Sequence, residues 1–269
     1  MTYDIHGAIV QDSFAENMTM TNFYDSTTNA NYVVIRVFRT KRDGTKQYPF
    51  LRYPTTSSGS ATVPLRTTAA SLAETEGWDL VITAGLGVSA SQPIDGVAVE
   101  NGVVINDDAA TYHAGAIPLT IDANGNLATA SASATASSLV SAGAVSATCG
   151  FCAIVTNYAA VSSFPTVQNV DHFTQNAQRQ IIGQFGNGDY AILSCAGRSE
   201  DNSDGWTLAE AQTVCIRHGL KFAYCLDGGK SVATYLRRHG VYDFMAGTTR
   251  VVPSFIVFNG TDTFSVPSA

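Results

Sequence analysis

The sequence predicts an α+β fold, with a mixed, largely antiparallel sheet and helices packed on it. Three observations point there. Short apolar runs rich in Val, Ile, Tyr and Phe recur along the chain, as at Tyr32–Phe38 and Arg179–Phe185. Asn-Gly and Gly-rich turns separate many of them, as hairpins require. Helix signatures are few and do not alternate regularly with the strands, so a doubly wound parallel sheet is not expected.

Taken in order, the first third reads as β-rich. Thr19–Asn31 is polar and turn-prone, and Tyr32–Phe38 (YVVIRVF) is a strand. Lys41-Arg-Asp-Gly44 turns the chain into a second strand at Gln47–Tyr53. Pro54–Ala61 has the composition of a linker and equally that of a long hairpin exit. Residues 1–60 thus form a β-rich N-terminal region that either adds strands to the main sheet or docks on a partner, and residues 61–269 form the main domain.

Within that domain, Thr67–Glu76 is a short helix with threonine at its start and Gly77 at its end. Asp79–Ala84 is a buried strand. Asn101-Gly102 predicts a type I′ hairpin, because both central residues of that turn need positive φ, and Asn124-Gly125 repeats the pair. Ala128–Ser146 is an Ala/Ser/Thr-rich stretch with a short helix near Ser137–Ala142, and Phe151–Thr156 is a strand. Gly186-Asn-Gly188 joins strands Arg179–Phe185 and Tyr190–Ala196. Thr207-Leu-Ala-Glu210 is a capping box, opening a helix that runs to His218 and stops at Gly219. Lys221–Leu226 is a buried strand ending in Asp227-Gly-Gly229. Arg237-Arg238-His239 reads as a solvated helix end, and Val251–Phe258 is a closing strand.

Composition narrows the functional classes. Hydrophobic residues make up 45% of the 269, enough for a sizeable core. The net charge is −7, and charged residues are only 14%. Nucleic acid as a partner is not expected, since it requires a basic face. Met1-Thr-Tyr-Asp-Ile-His6 lacks the basic and apolar regions of a secretory signal. The most apolar stretch, Leu139–Val155, is too short and too often interrupted to span a membrane. Of the five cysteines, Cys152, Cys195 and Cys225 sit in apolar strands and read as reduced structural thiols. Cys149-Gly-Phe-Cys152 precedes a strand rather than opening a helix, and no second cysteine pair completes a zinc site.

Candidate chemistry collects in the last third. Asp227 follows a buried strand and precedes two glycines; taken alone that run reads as a turn, and with its neighbours it reads as a carboxylate at a sheet edge, partly desolvated and suited to proton transfer. Arg179 and Arg198 stand at strand ends near the helix start at Thr207, where guanidinium forks and free N–H groups would suit a phosphate. Two rival motifs fail. Gly229-Lys-Ser231 imitates the end of a phosphate-binding loop, but the loop's first glycine would fall on Tyr224, inside a strand. Gly85-Leu-Gly-Val-Ser-Ala90 follows a strand, but Pro93 blocks the helix a dinucleotide site needs. His113 and His172 lie in no ligand spacing and read as structural or loop-exposed.

From about Asp79 to Phe258 the chain resembles the phosphodiester glycosidase family. The likeness lies in Arg179-x-Ile-Ile-Gly183, Gly197-Arg198, Gly205-Trp-Thr-Leu-Ala-Glu210, Leu226-Asp-Gly-Gly-Lys-Ser231 and the Arg250-Val-Val-Pro strand. Asp95-Gly, Asn101-Gly-Val and Pro118–Gly125 fit the family's earlier hairpins. The resemblance implies a phosphodiester glycosidase-like fold and a hydrolase that splits a sugar from a phosphodiester. Asp227 would be its acid/base group and Ser231 would orient the substrate. Arg179, Arg198, Gly228, Gly229 and Lys230 would hold the phosphate, with a divalent cation as an optional helper. Three positions depart from the family: Thr83 replaces an asparagine, Ala196 an aspartate and Lys230 a glycine. The expected partner is a glycan or sugar-phosphate polymer of a cell envelope. The alternative is a non-catalytic virion or glycan-binding module, assembled with other virion proteins or with itself. A phage tail would take either to the outside.

Overall fold

A computed structural model describes residues 17–41, 43–58, 61–89, 94–170, 173–197, 202–238, 241–248 and 250–258. The chain opens with β1 (Met18–Asp25), β2 (Ala30–Val37), β3 (Phe50–Arg52), β4 (Thr55–Ser58) and β5 (Ala61–Pro64). Helix α1 (Ala69–Glu76) leads into β6 (Leu80–Thr83), β7 (Ala98–Glu100), β8 (Val103–Asn106), β9 (Pro118–Asp122) and β10 (Leu127–Thr129). Helix α2 (Ala136–Ser141) precedes β11 (Ala144–Cys149), β12 (Cys152–Thr156), β13 (Ala159–Ala160), β14 (Arg179–Gln184) and β15 (Tyr190–Cys195). Helix α3 (Leu208–Arg217) is followed by β16 (Phe222–Cys225), β17 (Ala233–Arg238), β18 (Val241–Gly247) and β19 (Phe255–Phe258).

Three sheets share one core. The first runs β1-β2-β15-β14-β16-β12-β13, the second β10-β9-β11-β7-β8 and the third β18-β17-β6-β19-β3, with β4 and β5 pairing separately. Side chains alternate across each sheet with period two. Val33 and Ile35 of β2, Ile182 of β14, Ile192 of β15 and Tyr224 of β16 therefore point into the common core. There they meet Leu119 and Ile121 of the second sheet and Leu80, Ile82, Ile256 and Phe258 of the third. The outer face of each sheet carries one helix. Leu208, Ala211 and Val214 of α3 cover Ile181, Leu193 and Ala223. Leu139 of α2 covers Val97 and Val99, and Leu72 of α1 covers Val81 and Phe255. Burial on both faces explains why the central strands read as unbroken apolar runs.

Several expectations are corrected. Every strand pairing among the described residues is antiparallel, so the sheets are not mixed. Among the described residues the α-helices are three short covers, and sheet dominates. Met18–Asp25 is strand rather than turn: Met18 and Met20 are buried while Thr19 and Thr21, which alternate with them, are not. Arg237 and Arg238 lie on a strand, not at a helix end. Asn101 and Gly102 both have positive φ, as a type I′ turn requires, whereas in the second Asn-Gly pair only Gly125 does. There the carboxylate of Asp122 accepts from the backbone N–H groups of Asn124 and Asn126 and shapes a longer loop.

The N-terminal strands belong to these sheets, with β2 pairing along β15 and β3 along β19. Both expected helix signals are present. Thr207 and Glu210 form the capping box of α3, and α1 is capped by Thr68 and closed by left-handed Gly77. All five cysteines are buried and free. Cys149 and Cys152 face different cores, since β11 and β12 belong to different sheets. Among the described residues no helix is long and apolar enough to cross a membrane.

Candidate active site

The site forms where β16 leaves the sheet. The backbone N–H of Leu226 donates to the Gln180 carbonyl (2.9 Å), and that of Asp227 donates to the Ala84 carbonyl at the end of β6 (2.9 Å). The loop is thereby pinned between the first and third sheets. Gly229 takes φ +56°, a left-handed conformation that disfavours a side chain, and starts a 3₁₀ turn over Gly229–Ser231. Thr83, buried, donates its hydroxyl to the Ser231 carbonyl (2.6 Å) and fixes the end of that turn from below.

Asp227 is partly open to a cavity of about 290 Å³. Its Oδ1 accepts from the Gly228 N–H (2.8 Å), and the Ser231 hydroxyl donates to the same carboxylate. Burial raises the Asp227 pKa above the usual carboxylate value. Its bonds to Ser231 and Gly228, and the nearby Arg250 and His113, oppose that rise without cancelling it. Lys230 and Ser231 also line the cavity.

Arg179 lines it too, but the side chain is buried and largely committed. Its Nε donates to the Trp206 carbonyl (2.8 Å) and one Nη to the Gln175 carbonyl (2.9 Å). The other Nη lies beside Gly228, 4.0 Å from where a Cβ would stand. The N–H groups of Gly228 and Gly229 are taken by Asp227 and by the Gln178 carbonyl, so neither is free for a phosphate. Arg198 lies outside the described residues, as does His172. Ala196 faces a separate cleft with Asn22, Tyr32 and Met245, away from the lining around Asp227.

Sequence reasoning missed Arg66, His113, Asn169 and Arg250, which complete the lining. Arg66 and Arg250 come together because Thr67 and Val252 bridge, each N–H donating to the other's carbonyl (3.1 and 2.8 Å). Arg250 stood inside the recognised Arg250-Val-Val-Pro run, but nothing local marks Arg66.

His113 is held by Asp95, a buried carboxylate. Asp95 accepts from the backbone N–H groups of Thr111 (3.0 Å), Tyr112 (3.3 Å) and His113 (2.7 Å), and it bonds the His113 Nδ1 (2.7 Å). Desolvation would raise the pKa of this carboxyl, but these four bonds outweigh it and bring it down to about 2. An ionised Asp95 requires the proton of the neutral ring on Nδ1, which leaves Nε2 as the acceptor. Asn169 donates to the Tyr112 carbonyl (2.7 Å), tying a second loop to this one. Among the described residues no three His, Cys, Asp or Glu side chains gather in a metal-holding group.

Among the described residues the cavity lining combines one carboxyl with a raised pKa, one oriented imidazole and four cationic side chains, Arg66, Arg179, Lys230 and Arg250. In a chain of net charge −7, that local excess of positive charge selects for anions.

The model of the phosphodiester glycosidase family matches residues 77–259. No curated protein matches the sequence significantly. Among solved structures, the zebrafish N-acetylglucosamine-1-phosphodiester alpha-N-acetylglucosaminidase catalytic domain, auto-inhibited by pro-peptide, superposes with a TM-score of 0.65. It is 12% identical over 91% of this chain and 83% of that one. A hypothetical protein from Synechocystis gives 0.62 at 13% identity, over 91% of this chain and 62% of its own. A putative exported protein from Burkholderia pseudomallei gives 0.57 at 12% identity, over 92% and 76%. At these identities the likeness shows a shared fold.

Proposed function

Because this chain belongs to the phosphodiester glycosidase family, we propose that it hydrolyses the bond between a sugar and the phosphate of a sugar-phosphate diester. The carrying observation is a carboxyl of raised pKa, Asp227, in a cavity whose other charged lining side chains among the described residues are cationic or imidazole. Lys230 and the charge of Arg179, whose guanidinium lines the cavity, hold the phosphate as paired cations. Asp227, protonated, donates its proton to the phosphate oxygen that leaves the sugar. The imidazole of His113 accepts a proton from the attacking water, whose oxygen bonds the anomeric carbon as the C–O bond breaks and its electron pair passes to the phosphate. The products are a free sugar and a phosphomonoester, and exchange with solvent resets both groups. Ser231 orients Asp227, and Asp95 orients His113. A divalent cation would add charge neutralisation at the phosphate, and no step here depends on one.

The zebrafish structure's name specifies an N-acetylglucosamine-1-phosphodiester, which makes that diester the first substrate to try. Cell-envelope glycopolymers supply similar bonds, and a place in a phage tail would bring the chain to them. The test is release of reducing sugar by wild type and by Asp227→Asn. Turnover in wild type, reduced about a hundredfold or more in the variant, supports the reading. Equal turnover removes Asp227 from the chemistry.

One observation favours a second reading, a glycan-binding module without turnover. The Thr83 hydroxyl and two arms of Arg179 are spent on backbone carbonyls rather than on the cavity. Glycan binding by wild type and Asp227→Asn alike, with no sugar released from any diester, would establish it.

A further inference from the structure

Arg66 and Arg250 are not needed to hold a single phosphate, and the protein around Arg66 does not satisfy it. Among the described residues neither guanidinium has a carboxylate within ion-pairing distance. Arg66 makes one long bond, from Nη2 to the Val251 carbonyl (3.3 Å), and its Nε is buried without a partner. The Thr67–Val252 bridge nevertheless holds the two side chains on one rim of the cavity, where like charges repel. Burial and then the neighbouring Arg250 push the Arg66 pKa down, and the smaller pull of Asp227 does not cancel them. An unpartnered donor and a repelling pair are costly unless a ligand completes them. The charge balance agrees. Among the described residues four cationic side chains line the cavity with one carboxyl, while a phosphodiester is a monoanion, so positive charge remains in this lining after the reacting phosphate is bound.

We propose that Arg66 and Arg250 form a second anion subsite beside Asp227, which takes a further phosphate group of the substrate. This rests on the hydrolase reading above and narrows its substrate class. The favoured diester carries another phosphate next to the scissile one, as in a chain of repeated sugar-phosphate units. Arg66 lies upstream of the residues that match the family model, and Arg250 lies within them.

The experiment is calorimetric titration of the full chain with inorganic phosphate and with pyrophosphate, at one ionic strength because surface charges are screened by salt. Wild type should bind pyrophosphate about tenfold or more tightly than phosphate, the gain expected from one added charge-assisted contact. Arg66→Gln and Arg250→Gln should each erase that preference and leave phosphate affinity within about twofold. Arg66→Lys, which keeps the charge but not the fork, should keep part of it. Equal affinity for the two anions in wild type would overturn the subsite. So would a preference that survives both glutamine variants. Phosphate binding without a preference removes the subsite alone, whereas no binding of either anion removes the hydrolase reading with it. In turnover, Arg66→Gln should lower the selectivity for a diester with a second phosphate over a simple one. Asp227→Asn should silence both.

Discussion

Asp227 and Asp95 are two carboxyls that their surroundings move in opposite directions. Burial raises Asp227, so its ionised form is disfavoured in the folded protein, and its stability contribution is full below the ordinary carboxylate value and is lost as pH rises through the raised one. Asp227→Asn should therefore gain in melting temperature relative to wild type as pH rises above about 4, while activity falls. Melting curves of both proteins across that range check it, and a difference independent of pH would contradict it. Asp95 is held down to about 2 by the bonds it accepts, so its contribution is present above about 4 and is lost as pH falls toward 2. Asp95→Asn should cost about 1–3 kcal/mol at neutral pH, because an amide cannot accept all four bonds and presents donors to donors. It should also flatten the acid limb of the stability curve, which denaturant titrations from pH 2 to 7 would measure. These two residues were not equally legible. Asp227 is local: a strand, a carboxylate and two glycines in sequence place it at a sheet edge. His113 looked like a lone ring because its partner Asp95 is eighteen residues away across a loop, and no period connects them. Arg66 and Arg250 meet through a bridge that only the folded chain makes.

At the scale of elements, the turn after β16 shows what local sequence can specify. Gly229 is left-handed, and its N–H is fixed to Gln178, so the turn that carries Lys230 and Ser231 has one backbone solution. Gly229→Ala should cost about 1–2 kcal/mol from the left-handed penalty alone. It should lower turnover more than that stability loss explains, since Ser231 would no longer meet Asp227. Comparison of melting temperature with kcat/KM for the variant tests the separation, and a loss confined to stability would show that the turn tolerates the shift. Glycine turns, the threonine caps and the doubly buried strands were readable because each has a local physical cause. Among the strands that escaped, β1 hides two buried methionines among Thr and Asn, and β17 ends in paired arginines that resemble a solvated helix end. In both, the pairing partner decides the conformation, and β1 is fixed by its eight-residue register with β2.

For the whole molecule, the decisive feature is that the N-terminal strands are built into sheets that carry the site. β2 pairs residue for residue with β15 from Val37–Tyr190 to Tyr32–Cys195, and its side chains alternate between two cores. Val33, Ile35 and Val37 enter the common core, while Tyr32 and Val34 enter the layer under α3. β3 similarly lines the edge of β19, the strand that follows Arg250. A chain shortened to residues 61–269 would leave β15 and β19 with open edges and lose these side chains. Each buried apolar side chain of this size contributes about 1.5–3 kcal/mol, so the five from β2 alone reach on the order of 10 kcal/mol. That equals the entire stability of a typical domain, about 5–15 kcal/mol. The shortened chain should therefore fail to fold and should aggregate through its exposed strand edges. A folded, monomeric 61–269 fragment with a cooperative melt would show instead that the N-terminal strands dock on a domain complete without them. Circular dichroism and gel filtration of the two chains side by side decide between these outcomes. If the fragment is unfolded, a site lined by residues from Arg66 onward depends on strands that contribute none of that lining, because they hold the two sheets between which Asp227 is pinned.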